Sequence, residues 1–346
     1  MKFRTAPALG ALACLVLVTA CSTATDGESP SGASSAAASI TVYNGRSEEL
    51  VGPILAEFTE DTGIPVNVRS AGSGELGAQL LTEGDASPAD VFLSQDAGAL
   101  GAVAKAGMLA ALPQDLLERV PAGSRAADGT WTGVSGRARV VVYNPELVKD
   151  PPDTIDAVVA GDYRGRIGYA PTNASWQSFV TGLRVLRGED GARKWLEAFA
   201  GQEPKAYEGN SQVRDAVDSG EVALGLINHY YLYELAAEEG EGAVKARNQF
   251  MAPGDPGGLV NVAGVGVLGT GDRKDLSLQL VDYLTSRRAQ EYFAEETFEY
   301  PLIEGVPAAE GLPSLAELDP PQLDLSDLDS IAQTQALLAD VGLLTE

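Results

Sequence analysis

Cysteine and histidine are nearly absent from this chain of 346 residues. Both cysteines, Cys14 and Cys21, lie near the N-terminus, and His229 is the single histidine. The rest of the chain can therefore form no disulfide and no thiolate metal site, and a lone histidine is seldom a metal ligand. The sequence also lacks a GxSxG nucleophile motif and a phosphate-binding P-loop, so we predict that the protein is not an enzyme.

Positive charge is scarce as well. The chain has 24 lysines and arginines against 49 aspartates and glutamates, which gives a net charge of −25 at pH 7. Such a surface repels the phosphates of nucleic acids and of anionic lipids, so we expect no nucleic-acid partner and no charge-driven membrane binding. A cationic ligand is compatible with this charge, although a solvated acidic surface accounts for most of it.

Long hydrophobic runs are also lacking. The apolar stretch at residues 8–18 is shorter than the roughly 20 residues that a helix needs to cross a bilayer. Lys2 and Arg4 place positive charge before it. This arrangement is typical of a secretory signal peptide, which we assign to residues 1–20.

The sequence Val-Thr-Ala-Cys that ends at Cys21 resembles a bacterial lipobox. The resemblance implies cleavage before Cys21 and attachment of lipid to its sulfur, and the alternative is an ordinary signal with a chance cysteine. Residues 21–38 are rich in serine, alanine and glycine, which is typical of a flexible tether. We therefore expect the protein to be extracytoplasmic, held on the outer face of the cell membrane by the lipid anchor only.

Short β-rich runs alternate with helical patterns along the rest of the chain. ITVYN, PVNVRSA and ADVFLS are each followed by a helical pattern, which is typical of βαβ units and a mostly parallel sheet. A late strand at residues 262–268 indicates that the chain leaves a first lobe, builds a second and returns. We predict an α/β protein whose two lobes enclose a ligand-binding cleft. Lobe 1 is residues 40–137 plus about 262–302, and lobe 2 is residues 138–261 plus the C-terminal helices of about 303–346.

Two adjacent tyrosines, Tyr230 and Tyr231, lie where the apolar run of LINHYYLYEL becomes a helical pattern. Neighbours in a strand point to opposite faces, whereas neighbours on a helix share one, so the pair can converge only at a strand-to-helix junction. One interpretation is that the rings pack between helices. The other is that two phenolates bind a hard cation, because a phenol has a pKa of about 10 and only a strong Lewis acid ionises it at neutral pH. Ferric iron fits this requirement, whereas zinc and calcium prefer other ligands.

Several segments resemble the ferric-ion-binding proteins of bacterial iron ABC transporters. In chain order they are ITVYNGR, SPADVFLS, SGRARVVVYN, RIGYAPT, EGNSQVRDAVDSGEVALGLINHYY and EYPL. The resemblance implies a two-lobed, periplasmic-binding-protein-like fold of type II, with Tyr230 and Tyr231 as ligands of ferric iron. It also implies that the protein is the substrate-binding component of an ABC importer, a monomer that delivers iron to permease and ATPase subunits.

The ligand set departs from the best-known branch of that family. Where that branch has a histidine and a glutamate, this chain has Ser47 and Gln95. Another branch recruits a third tyrosine from the RARVVVY strand, and here that residue would be Tyr143. The family also binds a synergistic anion, carbonate or phosphate, beside the iron. Residues expected to contact this anion or to surround the phenolates are Arg46, Gln95, Arg137, Arg139, Asn173, Ser175, Asn210 and Asn228.

Two other functions stay open on the sequence. The first is a binding protein of the same class for an anion or a small organic solute, with the tyrosines lining its pocket. The second, from a different class, is a secreted hydrolase or a surface interaction module.

Overall fold

A computed structural model of the protein describes residues 38–344. The predicted signal peptide, Cys21 and the predicted tether up to residue 37 lie outside the described residues. The first described part of the chain alternates strands and helices. It contains β1 (Ile40–Asn44), α1 (Glu48–Thr62), β2 (Val66–Ser70), α2 (Ser73–Glu83), β3 (Val91–Ser94), α3 (Ala97–Lys105) and the single turn α4 (Gln114–Leu117).

A long strand then leads into the central part of the chain. This part contains β4 (Trp131–Tyr143), α5 (Ile155–Ala160), β5 (Ile167–Tyr169), α6 (Ala174–Gly201), β6 (Lys205–Ala206), α7 (Asn210–Asp218), β7 (Leu224–Asn228), α8 (Tyr230–Glu239) and β8 (Arg247–Phe250). The C-terminal part contains β9 (Val260–Val267), α9 (Lys274–Leu284), α10 (Arg287–Glu295), α11 (Leu315–Leu318), the 3₁₀ turn Leu325–Asp329 and α12 (Ile331–Asp340).

Local sequence explains where several helices begin and end. The Asp96 carboxylate accepts hydrogen bonds from the backbone N–H groups of Gly98 and Ala99, so it satisfies two donors that the first turn of α3 leaves free. Asn173 caps α6 by accepting a hydrogen bond from the Ser175 backbone N–H. Helix α1 ends at Gly63, whose φ of 71° lies in the left-handed region that glycine adopts without steric cost.

The strands form one sheet in the order β2-β1-β3-β9-β4-β7-β5-β6, with β8 paired to β4. Strand β4 joins two halves of this sheet. Its residues 131–138 pair with β9, whereas its residues 139–143 pair with β7 and β8. We call β1, β2, β3, β9 and residues 131–138 the first half of the sheet, and the remaining strand residues the second half.

The expectation of a mostly parallel sheet is wrong for the middle of the sheet. Strand β1 is parallel to β2 and β3, and β5 is parallel to β6 and β7. Strand β4, however, is antiparallel to each of its partners, and β9 is antiparallel to both β3 and β4. The reason is that the chain passes from the first half to the second along β4 and returns at the start of β9, whereas helical crossovers generate the parallel pairs inside each half.

Each face of each half carries its own apolar core, as expected for a sheet covered by helices on both sides. Helices α1, α9 and α10 pack on one face of the first half, and α2 and α3 pack on the other. In the second half, α5, α6 and α12 cover one face, and α7 and α8 cover the other. Residues of β4 follow the period of two, because Val140 and Val142 join one core while Val141 joins the opposite one.

The C-terminal segment contacts helices of both halves. The 3₁₀ turn Leu325–Asp329 packs so closely on α3 that a Cβ atom at Gly98 would lie 2.5 Å from the Leu328 carbonyl oxygen. Helix α12 packs on α6, where the Thr334 and Thr181 hydroxyls share a buried hydrogen bond of 2.7 Å. Within the described residues, no helix combines the length and apolar character needed to cross a membrane.

Candidate metal centre

The two adjacent tyrosines lie at a strand-to-helix junction, as the sequence predicted. Strand β7 ends at Asn228, His229 already has helical backbone angles, and Tyr230 and Tyr231 are the first two residues of α8. The rings stack with their centroids 4.3 Å apart and their planes 27° apart. Both phenols therefore converge on one place.

The Tyr230 phenol is almost completely buried, with 2% of its surface exposed. Burial is the main reason why its pKa is raised well above 10, and Tyr231 raises it further while Arg137 lowers it. Within residues 38–344, the Tyr230 hydroxyl has no hydrogen bond to another residue besides its contact with the stacked Tyr231. A buried phenol without another polar partner is suited to a ligand that is absent from the free protein.

Two arginines of β4 flank the tyrosines. Arg137 and Arg139 are two residues apart, so they project from the same face of the strand. Burial lowers the pKa of Arg139 to about 9, and the neighbouring Tyr231 raises it, so the guanidinium is positively charged at neutral pH. This group also lies 5.0 Å from the centroid of Phe179. The positive charge of Arg137 favours the ionised form of Tyr230.

A buried acidic residue, Glu299, lies between Arg137 of β4 and Arg46, which follows β1. Its Oε2 atom accepts hydrogen bonds from Arg46 Nη2 at 2.5 Å, from Ser135 Oγ at 3.1 Å and from Thr297 Oγ1 at 3.1 Å. Its Oε1 atom lies 3.8 Å from Arg137 Nε. Sequence reasoning missed Glu299, although it belongs to the EYPL segment, because one buried glutamate looks like any other in so acidic a chain.

Five of the residues expected near an anion come together beside the tyrosines. Asn173 Oδ1 accepts hydrogen bonds from Ser175 N at 2.9 Å and from Ser175 Oγ at 2.8 Å. Asn210, the first residue of α7, donates to Ser175 Oγ at 2.9 Å. Arg139 donates to Ser175 O at 3.0 Å, and it pairs with Asn228 in the sheet. The start of α6 therefore carries a cluster of polar side chains next to a guanidinium group.

The residues that replace the family's histidine and glutamate lie in the first half. Gln95 accepts a hydrogen bond from Arg137 through its backbone carbonyl, and its N–H donates to Ser73 Oγ at 2.9 Å. Gln95 is thus connected to the tyrosine site through Arg137. Ser47 is exposed at the residue before α1, where its side chain makes no capping hydrogen bond.

The structure does not bring Tyr143 to the tyrosine pair. In the β4–β7 ladder Tyr143 lies opposite Leu224, whereas Arg139 lies opposite Asn228, next to the junction. Four residues of antiparallel strand separate these pairs by about 14 Å. The Tyr143 ring packs against the core under α5 and α6. The strand register thus places Tyr143, the predicted third ligand, at the far end of β4 from the pair.

His229 is buried beside the pair and faces backbone groups. Its Nε2 atom lies 2.8 Å from the Phe298 carbonyl oxygen, and its Nδ1 atom lies 3.2 Å from the Ala138 nitrogen. Burial lowers its pKa to about 4, so the ring is neutral at pH 7. His229 therefore ties β4 to the segment before Tyr300. Among residues 38–344, no group of three or more histidine, cysteine, aspartate or glutamate side chains is placed to hold a metal ion.

An α/β sheet in two halves, with polar side chains of both halves meeting where the halves join, defines a two-lobed solute-binding protein. Comparison with known proteins agrees. The family model for bacterial extracellular solute-binding proteins matches residues 86–325. The Fe(3+)-binding periplasmic protein of Serratia marcescens is 35% identical over 315 residues, which cover 90% of this chain and 93% of the relative.

Solved structures give the same result. Iron-bound HitA from Pseudomonas aeruginosa matches with a TM-score of 0.83 and 34% identity, over 88% of this chain and 100% of HitA. IdiA (FutA) of Trichodesmium, in complex with iron and citrate, matches with a TM-score of 0.76 and 28% identity, over 88% of this chain and 100% of IdiA.

The chain belongs to the bacterial extracellular solute-binding proteins and, among them, to the ferric-ion-binding group that its motifs resemble. The predicted fold, α/β and two-lobed of the periplasmic-binding-protein type II, is confirmed. The protein is a substrate-binding component of an ABC importer and not an enzyme, so the hydrolase alternative is excluded.

Proposed function

We propose that the protein captures ferric iron in the cleft between its lobes and delivers it to the permease of an ABC importer, whose ATPase drives uptake. The observation that carries this proposal is the stacked pair Tyr230 and Tyr231 at the start of α8. Two relatives support this proposal, because the Serratia protein is called an Fe(3+)-binding protein and the HitA structure contains bound iron.

The chemistry of the pair suits a trivalent ion. Both phenols are hard oxygen donors, and such donors favour hard cations. The raised pKa of Tyr230 keeps its proton in place until a strong Lewis acid displaces it. Once both phenols are ionised, Arg137 and Arg139 stabilise the phenolates from β4. A divalent ion is a weaker Lewis acid and displaces these protons less readily.

A synergistic anion, carbonate or phosphate, would bind at the start of α6. The N-terminus of a helix attracts anions through its free N–H groups and its dipole. Asn173, Ser175 and Asn210 surround this end of α6, and Arg139 adds a positive charge. The complex of the relative IdiA with both iron and citrate supports a site that takes a metal and an anion together.

The two lobes that we propose are residues 40–137 with about 262–302, and residues 138–261 with about 303–346. The change of pairing partners in β4 at residues 138–139 supports a boundary at this point. An ion that contacts both lobes favours the closed state, so binding would close the cleft. We propose further that Cys21 carries the lipid that holds the monomeric protein on the outer face of the cell membrane.

The test is a titration of the purified protein with ferric iron, supplied as its nitrilotriacetate complex. Phenolate-to-iron charge transfer should colour the loaded protein. Tyr230→Phe and Tyr231→Phe keep the rings and remove the ligand oxygens, so each should lose colour and affinity. Tyr233→Phe is the matched control on the same helix, because its hydroxyl lies 3.5 Å from the Gly311 carbonyl and is not part of the pair. Tyr143→Phe should also bind normally.

Unchanged colour and affinity in both variants of the pair would refute the proposal. Binding of phosphate or carbonate without any iron would instead favour the second function, an anion-binding protein whose tyrosines line the pocket. The polar cluster at the start of α6 is the observation that favours this second function.

A further inference from the structure

One carboxylate shares the helix face of the tyrosine pair. Glu234 follows Tyr230 by four residues and Tyr231 by three within α8. A helix turns by about 100° per residue, so the Glu234 side chain leaves the axis within about 40° of Tyr230 and 60° of Tyr231. It is therefore one turn along α8 from the phenols and on the same side.

This carboxylate has no partner within residues 38–344. It accepts no hydrogen bond and forms no ion pair there, although it is half-buried. The nearby Arg214 is engaged elsewhere, because its Nε pairs with Asp215 at 2.8 Å and its Nη1 donates to the Tyr231 carbonyl at 3.0 Å. Desolvation of a carboxylate normally requires compensation by a cation or by hydrogen-bond donors.

The surroundings of Glu234 include acidic groups from the other half of the molecule. Burial is the main cause that raises the pKa of Glu234 to about 7, and Arg214 opposes this shift. Glu299, Glu238 and Glu49 raise the pKa further. Since Glu49 lies in the first turn of α1 in the first half, negative charge from both halves meets at this point.

A charge count shows what the tyrosine pair needs. Two phenolates neutralise two of the three charges of ferric iron, and Arg137 and Arg139 add positive charge beside them. The anion proposed at the start of α6 offsets the charges of the two arginines, so the third charge of the iron still requires one more negative group. Glu299 does not meet this need, because its carboxylate is taken up by Arg46 at 2.5 Å.

We propose that Glu234 supplies this third negative charge and is the residue that selects a trivalent over a divalent cation. This inference rests on the proposed ferric function of Tyr230 and Tyr231. At a given distance the attraction of a carboxylate grows in proportion to the charge of the ion, so removing the carboxylate weakens binding of a trivalent ion more than of a divalent one. In the empty protein, no cation or hydrogen-bond donor among residues 38–344 compensates the half-buried carboxylate of Glu234, and a bound cation would do so.

The decisive variant is Glu234→Gln, which has the same shape and no charge. Glu238→Gln is the control, because Glu238 is exposed one turn further along α8. The full-length protein is titrated with ferric nitrilotriacetate and with Mn²⁺, and the visible charge-transfer band is recorded. We expect Glu234→Gln to weaken ferric binding by roughly 10- to 100-fold and Mn²⁺ binding by less, with the band retained, because both phenolates remain.

Glu234→Asp provides a second measurement that keeps the charge and shortens the side chain. It should bind ferric iron more tightly than Glu234→Gln, a result that a purely structural role would not give. Glu234→Gln with the ferric affinity of the Glu238→Gln control would overturn the role of Glu234. Absence of the coloured band from the wild-type protein would instead overturn the ferric function itself.

Discussion

The buried Glu299 allows a quantitative test of how the arginines next to the site are held in place. Glu299→Gln removes the charge of a carboxylate that is 0% exposed and lies 2.5 Å from Arg46 Nη2. The amide keeps the size of the side chain and one acceptor oxygen, so Ser135 and Thr297 can still donate to it. Arg46 and Arg137, however, lose the negative charge between them.

The expected loss of stability follows from the burial of Glu299, Arg46 and Arg137. Removing one partner of a buried ion pair costs about 3–5 kcal/mol of unfolding free energy, because the remaining charge is uncompensated. The glutamine oxygen still accepts one hydrogen bond from a guanidinium, so we expect a loss near the lower end, about 3 kcal/mol. For a domain of this size such a loss lowers the melting temperature by about 6 °C.

Urea unfolding at pH 7, followed by circular dichroism, measures this loss. The control is Glu296→Gln, which removes an exposed carboxylate three residues away and should change stability by less than about 0.5 kcal/mol. If Glu299→Gln is no less stable than this control, the Arg46–Glu299–Arg137 network does not stabilise the fold, and our account of it fails.

Three other perturbations test the proton release, the packing and the anchor. Burial raises the pKa of Tyr230, so its phenol is protonated in the free protein and iron must expel the proton. The ferric affinity should therefore fall about tenfold for each unit by which the pH is lowered and for each proton expelled. Competition with a chelator measures this affinity, once the protonation of the chelator itself is corrected for. Gly98→Ala places a Cβ atom 2.5 Å from the Leu328 carbonyl oxygen and should cost about 1–3 kcal/mol in urea unfolding, whereas Gly52→Ala, whose nearest contact is 3.7 Å, should not destabilise. Cys21→Ser should release the protein into the medium, because the acyl chains supply membrane affinity of about 0.8 kcal/mol per buried CH₂; retention in the membrane fraction would contradict lipidation.

The sequence predicted correctly those structural features that depend on residues close together in the chain. The junction at Tyr230 and Tyr231 was predictable, because an apolar strand pattern changes to a helical one within a few residues. The alternation of strands and helices likewise predicted an α/β fold with a covered sheet. In both cases the determining residues are close together in the chain.

Sequence reasoning failed where pairing partners are distant. The orientation of β4 and its register against β7 decide that Tyr143 lies far from the junction, and no local pattern specifies that register. Glu299 and Arg46 are separated by 253 residues, so nothing near either residue indicates that they meet. The spacing of Glu234 from the tyrosines along α8 is visible in the sequence. Its partial burial without a partner, which distinguishes it from other glutamates, is visible only in the structure.

The change of pairing partners within β4 has a mechanical consequence for cargo release. Arg137 lies opposite Asn261 of β9, whereas Arg139 lies opposite Asn228 of β7. The two guanidinium groups are neighbours on one strand, yet each is registered to a different half of the sheet. Bending of β4 between them would change the positive potential at the phenols as a function of the angle between the lobes. A transporter that pulls the lobes apart would then loosen the phenolates' hold on the ion by force alone, without reduction of the metal or acidification.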